Sequence, residues 1–339
     1  MQIEEMSGVN MTKKTYKDAG VDIDLEAYAV AALTSKLTFQ REGEIKPVSK
    51  TGHFAGMVSF GEYVLALATD GVGTKMLVAD EMQDWSTVGI DCIAMNVNDL
   101  YVMNLEPIAF VDYIATDALS LSQMEQIGEG LNRGAELSNI SIIGGETATL
   151  KGMVTGLDLA GAVLGIQKQC DVITGEKIIP GDLIIGVPSS GIHSNGLTLA
   201  RSLVQTYAGM HEEFFGKTYG EELLTPTRIY HEVLSLTRIC NVHGMCHMTG
   251  GGLLNLKRLS TYGFSITDPL IPQEIFVWIQ KVANISDCEM YKTFNMGMGY
   301  VIIVPPSEEH HVKSVFSDAR AVGVVTDTAG VFLRDEKIE

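Results

Sequence analysis

No stretch of this sequence approaches the roughly 18–20 consecutive apolar residues of a membrane-spanning helix, and no charged-then-apolar segment opens it. A soluble, cytoplasmic protein is expected, with Met1–Asn10 a dispensable start. Cations are scarce: 24 Lys and Arg stand against 42 Asp and Glu, a net charge of −18. So acidic a chain is a poor match for a nucleic-acid groove, which needs a positive field. A small polyanion can still bind where metal ions and backbone N–H groups supply positive charge locally. Cysteines 92, 170, 240, 246 and 288 are odd in number and irregularly spaced, which excludes a regular disulfide framework and predicts reduced thiols. The common nucleotide loops are missing too. GVGTK at 71–75 does not fit the Walker pattern, the dinucleotide fingerprint fails because Met76 holds its last glycine position, and no G-x-S-x-G elbow surrounds a serine.

What is present describes a packed globular chain: 46% hydrophobic and only 19% charged. At 339 residues it is too long for one comfortable core, and two domains are expected. Glycine is enriched, with 35 residues clustered as GVG, GG, SSG and TGGG.

The most informative stretch is Leu65–Lys75, LALATDGVGTK. It reads as a buried strand that runs into Asp70, Gly71, Gly73, Thr74 and Lys75. Carboxylate, glycines and Lys together suit a hard cation and a phosphate; an Asp-Gly hairpin turn fits the same letters. Before it, TYKDAGVD (15–22) leads into a helix with apolar Leu25, Tyr28, Ala29, Ala32, Leu33 and Leu37. Lys17 and Asp18 sit on the polar arm. TGHFAGMVSF (51–60) is either a flap or a hairpin. Trp85–Met103 reads as a buried helix, with Asp91 and Asn98 on one face, Asp99 beside them and Asn96 on the other side. Asp91 is either a cation ligand or a buried, hydrogen-bonded carboxylate.

Pro107–Thr116 reads as a strand holding Asp112, Ser120–Leu137 as an amphipathic helix, and Ser141–Leu150 as a strand ending in Gly144, Gly145, Glu146 and Thr147, a further strand end with glycine next to an acid. Leu157–Ile166 is a further buried strand. The charged, glycine-bearing stretch 167–182 then separates a unit of residues 1–168 from one of 169–339.

The second unit restarts with the strand Leu183–Val187. A Ser/Gly loop with Ser190, Gly191, His193, Ser194 and Asn195 follows, then a helix from Leu197. Strand, glycine loop and helix together offer N–H donors to an anion. His193 can donate to a phosphate or move a proton. Helices are expected near Arg228–Ile239 and Pro272–Val282, and strands over Asn295–Val304 and Ala321–Thr326. Cys240, His243, Cys246 and His247 suggest zinc. However, VHGMCHM reads as a strand that sends His243 and Cys246 to opposite faces, and no second ligand pair follows. His247 through Gly252, with Thr249, Gly250 and Gly251, reads as another anion-friendly loop at a helix start.

Eight segments in collinear order, YKDAGVDID (16–24), TDGVGTK (69–75), GIDCIAMNVNDL (89–100), GGET (144–147), SSGIHSNG (189–196), PTRIY (226–230), HMTGGG (247–252) and FNMGMG (294–299), resemble the phosphoribosylformylglycinamidine cyclo-ligase family. Several are shared with a wider ATP-binding superfamily that includes thiamine-phosphate kinase, selenophosphate synthetase and a hydrogenase-maturation protein. No reactive Cys stands near the N-terminal glycine loop, as a selenophosphate synthetase would need. A nucleotide-binding protein without catalysis is the remaining alternative, and the acids at 70, 91 and 99 speak against it.

The resemblance implies an α/β (α+β-like) protein of two mixed-sheet domains, the first pairing its sheet with a second subunit's into a barrel-like homodimer core. It implies ATP-dependent closure of formylglycinamidine ribonucleotide to 5-aminoimidazole ribonucleotide through an iminophosphate. The roles it suggests put Mg²⁺ on Asp70, Asp91 and Asp99, and phosphates on Lys17 and Lys75. ATP then lies against Gly71, Gly73, Thr74, Asn98, Gly144, Gly145, Glu146 and Thr147. Substrate lies against Ser190, Gly191, Ser194, Asn195, Thr249, Gly250 and Gly251, and Asp70, Lys75 and His193 are the catalytic candidates. The family's glycine-rich flap and the insert after GGET are altered here, at 51–60 and 148–158.

Overall fold

A computed structural model of the protein describes residues 23–39, 41–48 and 53–338. Lys17 and the polar arm around it lie outside the described residues.

The first half builds a five-stranded sheet from β1 (Gly56–Phe60), β2 (Tyr63–Gly71), β3 (Glu106–Thr116), β4 (Ser141–Thr149) and β5 (Leu157–Lys168) in the order β1-β2-β5-β3-β4. Of the segment read as flap or hairpin, Gly56–Phe60 forms a hairpin arm, with β1 and β2 turning through Gly61 at φ 63°. Strands β3 and β4 run parallel, and the other neighbours antiparallel. The helices of this half are α1 (Ile23–Thr34), α2 (Lys75–Met82), α3 (Val88–Tyr101) and α4 (Leu121–Ser138), the last crossing over from β3 to β4.

Buried Val88, Cys92, Ile93, Val97 and Leu100 let α3 cover one face of the sheet, where it packs on β2, β5 and α4. Val64, Ala66, Ala68 and finally Asp70 lie on that face of β2, and Leu159, Gly161 and Val163 on that face of β5. The alternate residues are apolar too, but their face is open among the described residues: Leu67 is 61% and Ile143 69% exposed, with Val111 and Tyr113 beside them. The strands expected to be buried at 65–69 and 157–166 are thus covered on one side only. Alternation with apolar residues on both faces reads alike whether the second cover comes from the same chain or another. Helix α1 forms as its periodicity predicts, yet Tyr28 and Leu33 on it are exposed.

The second half holds a seven-stranded sheet ordered β14-β13-β10-β12-β6-β11-β9. Its strands are β6 (Leu183–Pro188), β9 (Gly244–His247), β10 (Gly263–Ile266), β11 (Met298–Val304), β12 (Arg320–Thr326), β13 (Gly330–Leu333) and β14 (Glu336–Ile338). A small hairpin, β7 (Glu213–Phe214) and β8 (Lys217–Thr218), stands apart. Helices α5 (Leu197–Tyr207), α6 (Tyr219–Leu223), α7 (Val233–Leu236), α8 (Glu274–Ala283), α9 (Asp287–Thr293) and α10 (Glu309–Val315) complete this half. The helix expected over 228–239 shrinks to α7, because the backbone at 227–230 is spent on bonds to α3. Among the described residues, no helix is long and apolar enough to cross a membrane.

Candidate active site

Strand β2 delivers Asp70 to a row of four residues. The registers Asp70↔Gly161, Gly161↔Asp112 and Asp112↔Gly145 line them up across β2, β5, β3 and β4. Paired residues share a face, so Asp70 and Asp112 point the same way with a glycine between them. A Cβ on Gly145 would stand 2.4 Å from Asp112 Oδ1, and only glycine leaves that carboxylate its place. The Asp-Gly at 70–71 is therefore no hairpin turn; β2 pairs through Gly71 and feeds α2.

Asp70 is held by its backbone: its N–H donates to Asn96 Oδ1 (3.0 Å), and Asn96 Nδ2 donates to Asp70 O (3.1 Å). The Gly71 N–H reaches Asp70 Oδ1 at 2.7 Å. Burial, then the negative charge of Asp99, pushes the Asp70 carboxyl up to about 6. Burial also raises Asp112. Beneath them the Cys92 thiol is pushed well up by burial, with Asp112, Asp70, Asp91 and Asp158 adding to it. A divalent cation relieves the burial of such carboxyls and the repulsion between Asp70 and Asp99. The carboxylates of Asp70, Asp99 and Asp112 suit such an ion by donor chemistry, although their ligand atoms do not all lie within 4.8 Å of one another. Gly145 and Thr147 lie on the face of this row. Glu146 pairs with Tyr113 one row further, and with Gly144 turns to the opposite face. Glu146 therefore does not join Asp70.

Asp91 and Lys75 meet each other. Lys75 Nζ lies 2.7 Å from Asp91 Oδ2 and donates to Thr225 O at 2.7 Å, and both side chains are fully buried. Asp91 Oδ1 accepts from the Thr227 N–H (2.8 Å), Thr227 Oγ1 (2.6 Å) and Ser194 Oγ (3.1 Å). Asn98 is likewise spent: Nδ2 donates to Arg228 O (2.9 Å), and Oδ1 accepts from the Tyr230 N–H (3.1 Å). Thr74 Oγ1 touches Thr198 Oγ1 at 3.0 Å. The shared helical face of Asp91 and Asn98 is as expected, but it faces the second half of the chain. Asp91, expected on metal, Lys75, expected on phosphate, and Asn98, expected on nucleotide, here line a seam between the halves, where protein groups satisfy their charges and amide. Asp99, the next residue round the helix, stays half-buried and lies 3.3 Å from His247 Nδ1.

The loop after β6 is pinned from several sides. Ser190 Oγ donates to Pro226 O (2.6 Å), and the Ser190 N–H donates to His193 Nε2 (3.2 Å). His193 adopts φ 62°, is fully buried, and packs near Tyr230 and His247. Burial holds its pKa well below the usual range, with His247, Lys75 and Arg228 adding to the effect. His193 thus sits as a buried ring inside the loop, and its Nδ1 has no partner among the described residues. Asn295 clamps the same loop: Nδ2 donates to Gly191 O (2.9 Å), and Ser189 Oγ donates to Asn295 Oδ1 (3.0 Å). Thr249–Gly252 is gathered by Asn255, whose Nδ2 reaches Gly252 O at 2.9 Å. It opens a 3-10 helix at Gly252–Arg258, where an α-helix start was expected. Gly250 stands against Asn195, bringing the two loops together.

Two family models match: AIR synthase related protein, N-terminal domain, over residues 52–167, and its C-terminal domain over 180–336. Proteins named phosphoribosylformylglycinamidine cyclo-ligase are similar over nearly the whole chain. That of Methanococcoides burtonii is 50% identical over 334 residues, covering 97% of this chain and 100% of the relative. Those of Methanosarcina barkeri (49%; 96% and 98% covered) and Methanocaldococcus jannaschii (48%; 94% and 93% covered) are similar in extent. The chain belongs to the phosphoribosylformylglycinamidine cyclo-ligase family.

Solved structures carry the same fold at lower identity. A thiamine monophosphate kinase from Aquifex aeolicus aligns with TM-score 0.64 at 18% identity, covering 94% of this chain and 98% of its own. A hydrogenase maturation protein, HypE, described in complex with ATP, aligns with TM-score 0.59 at 16% identity, covering 84% and 80%.

In this member of the cyclo-ligase family, several residues escaped sequence reasoning as site residues. Asp112 was visible only as an acid inside a strand, because register is not written in one strand. Thr227 and Asn295 lie in the recognisable PTRIY and FNMGMG segments, and their roles as clamps emerge only from contacts more than 100 residues apart in sequence.

Proposed function

We propose that the chain catalyses ATP-dependent cyclisation of formylglycinamidine ribonucleotide to 5-aminoimidazole ribonucleotide, releasing ADP and phosphate, in de novo purine biosynthesis. The observation that carries this reading is the acid row, Asp70 and Asp112 with Asp99 nearby, in a chain 50% identical to a named cyclo-ligase. Asp70, Asp99 and Asp112 would hold Mg²⁺. When bound, that ion neutralises triphosphate charge and eases attack at the γ-phosphorus.

The formyl amide oxygen attacks the γ-phosphorus and ADP leaves. The resulting iminophosphate is a better electrophile than an amide, so an internal nitrogen closes the ring and phosphate departs. The chain's part is placement and charge. Gly71, Gly73 and Gly145 let backbone approach the nucleotide, and Thr74, Thr147 and Lys17 serve it, whereas Gly144 and Glu146, on the opposite face, take no part. Ser190, Gly191, Asn195, Thr249, Gly250 and Gly251 take the ribose phosphate. A buried Asn195 Nδ2 with no partner among the described residues supports that assignment. Lys75, Asp91, Asn98, Ser194 and His193 position these loops from behind.

We further infer a homodimer closed over the open sheet face, supported by exposed Leu67, Ile143, Val111 and Tyr113. The two domains divide at 168/169, consistent with β5 ending at Lys168 and β6 starting at Leu183. Five unpaired cysteines accord with a cytoplasmic setting.

The test is purified protein with ATP, Mg²⁺ and formylglycinamidine ribonucleotide. Phosphate release that requires the ribonucleotide supports the reading; ATP binding without turnover would overturn it.

A further inference from the structure

Sequence spacing made zinc at Cys240, His243, Cys246 and His247 unattractive, and the fold disperses that set. His243 pairs with Asp182 at 2.7 Å, and His247 faces Asp99. Cys240 instead meets residues nearly 70 positions away. In the loop after α7 it lies beside Glu308, which ends the 3-10 turn Pro306–Glu308, and His311 in the first turn of α10. One ligand atom from each of the three lies within 4.8 Å of the other two. His311 Nδ1 is already 2.8 Å from Glu308 Oε2, and the Asn241 N–H reaches the same oxygen at 3.4 Å.

We propose that Cys240, Glu308 and His311 form a binding site for a thiophilic divalent cation of the zinc class, apart from the nucleotide site. The donor set decides the class. Thiolate, imidazole and carboxylate together suit Zn²⁺, whereas Mg²⁺ takes oxygen ligands. Bonds of about 2.0–2.3 Å around a tetrahedral ion put ligand atoms about 3.3–3.8 Å apart, within side-chain adjustment of what is present. Cys240 is buried, while His311 is 36% exposed on its side chain, leaving a route in and a fourth position for water. Binding replaces the thiol proton, which passes to solvent.

The alternative is an ordinary i,i+3 His–Glu pair with the Cys240 thiol hydrogen-bonded to the same carboxyl group. The cation reading has a structural consequence that the pair lacks. Cys240 follows α7, and α10 leads to Asp318, which pairs with Arg228 at 2.8 Å. An ion at this point ties together two segments flanking the PTRIY seam.

The test is a Co²⁺ titration of chelator-stripped full-length protein, with circular dichroism to check folding. With excess Mg²⁺ present to fill the acid row, a single equivalent of Co²⁺ should bind with a sulfur-to-cobalt charge-transfer band that Zn²⁺ displaces. Cys240→Ser should remove the band, His311→Ala should weaken binding by about tenfold or more, and Cys170→Ser should leave it unchanged. Should Cys240→Ser fail to fold, melting of the other two proteins decides: Zn²⁺ should raise the Tm of wild type and not of His311→Ala. No band in wild type, a band surviving Cys240→Ser, or equal Tm rises overturns the proposal.

Discussion

Asp70 shows how far one side chain can be read. Its position after an apolar run marked it, and the structure explains the mark. Folded Asp70 keeps its proton up to about pH 6, whereas an unfolded Asp releases it near 3.8. Folding therefore takes up a proton between these values, so stability falls as pH rises from about 4 to 6 and levels off above. A shift of this size is worth on the order of 3 kcal/mol in metal-free protein. Asp70→Asn should thus abolish turnover and yet raise the Tm of chelated protein at pH 8, with little gain at pH 4; calorimetry at both values checks it. Equal gains at both pH values would remove the electrostatic account. Lys75 and Asp91 are just as visible, but their pairing with each other is not, for a simple reason. A buried charge looks the same in sequence whether a ligand or another side chain neutralises it.

At the scale of elements, α3 is the device that joins the halves. One face covers the sheet, Asn96 holds the end of β2, and Asp91 and Asn98 hold residues 227–230. Its apolar run made it legible as a helix, but its partners were not. Breaking one member of the buried pair leaves the other charge unsolvated, so Lys75→Met should destabilise the protein by about 3–5 kcal/mol in urea unfolding. Lys75→Met with Asp91→Leu should recover a large part of that loss. A double variant no better than the single would argue against the pair as the origin of the cost. The loops should separate differently. Asn295→Ala loosens the clamp on Gly191 and should raise KM for the ribonucleotide more than it lowers kcat; the reverse pattern in steady-state kinetics would count against a positioning role. Strands β2, β3, β4 and β5 could be placed from apolar runs and glycine punctuation. Short β13 and β14 could not, because three or four residues carry too little pattern. Helix α7 came out shorter than its periodicity because tertiary bonds at 227–230 outweigh local preference.

On the scale of the whole molecule, one face of the first sheet stays uncovered among the described residues. Leu67 stands at 61% exposure on the β2 strand that ends in Asp70. A charge there should split the proposed dimer, so Leu67→Asp should sediment as a monomer where wild type sediments as a dimer; two species of equal size would contradict the interface. The division into two sheet-bearing units was legible from the charged stretch at 167–182, whereas the packing of one half against the other was not. The chemistry proposed for the joined halves moves one oxygen, from the formyl amide to the γ-phosphorus, and that transfer can be followed. Formylglycinamidine ribonucleotide carrying a heavy-oxygen label in its formyl amide should, after turnover with ATP, leave the label in inorganic phosphate. Label found instead in water, with unlabelled phosphate, would contradict the account.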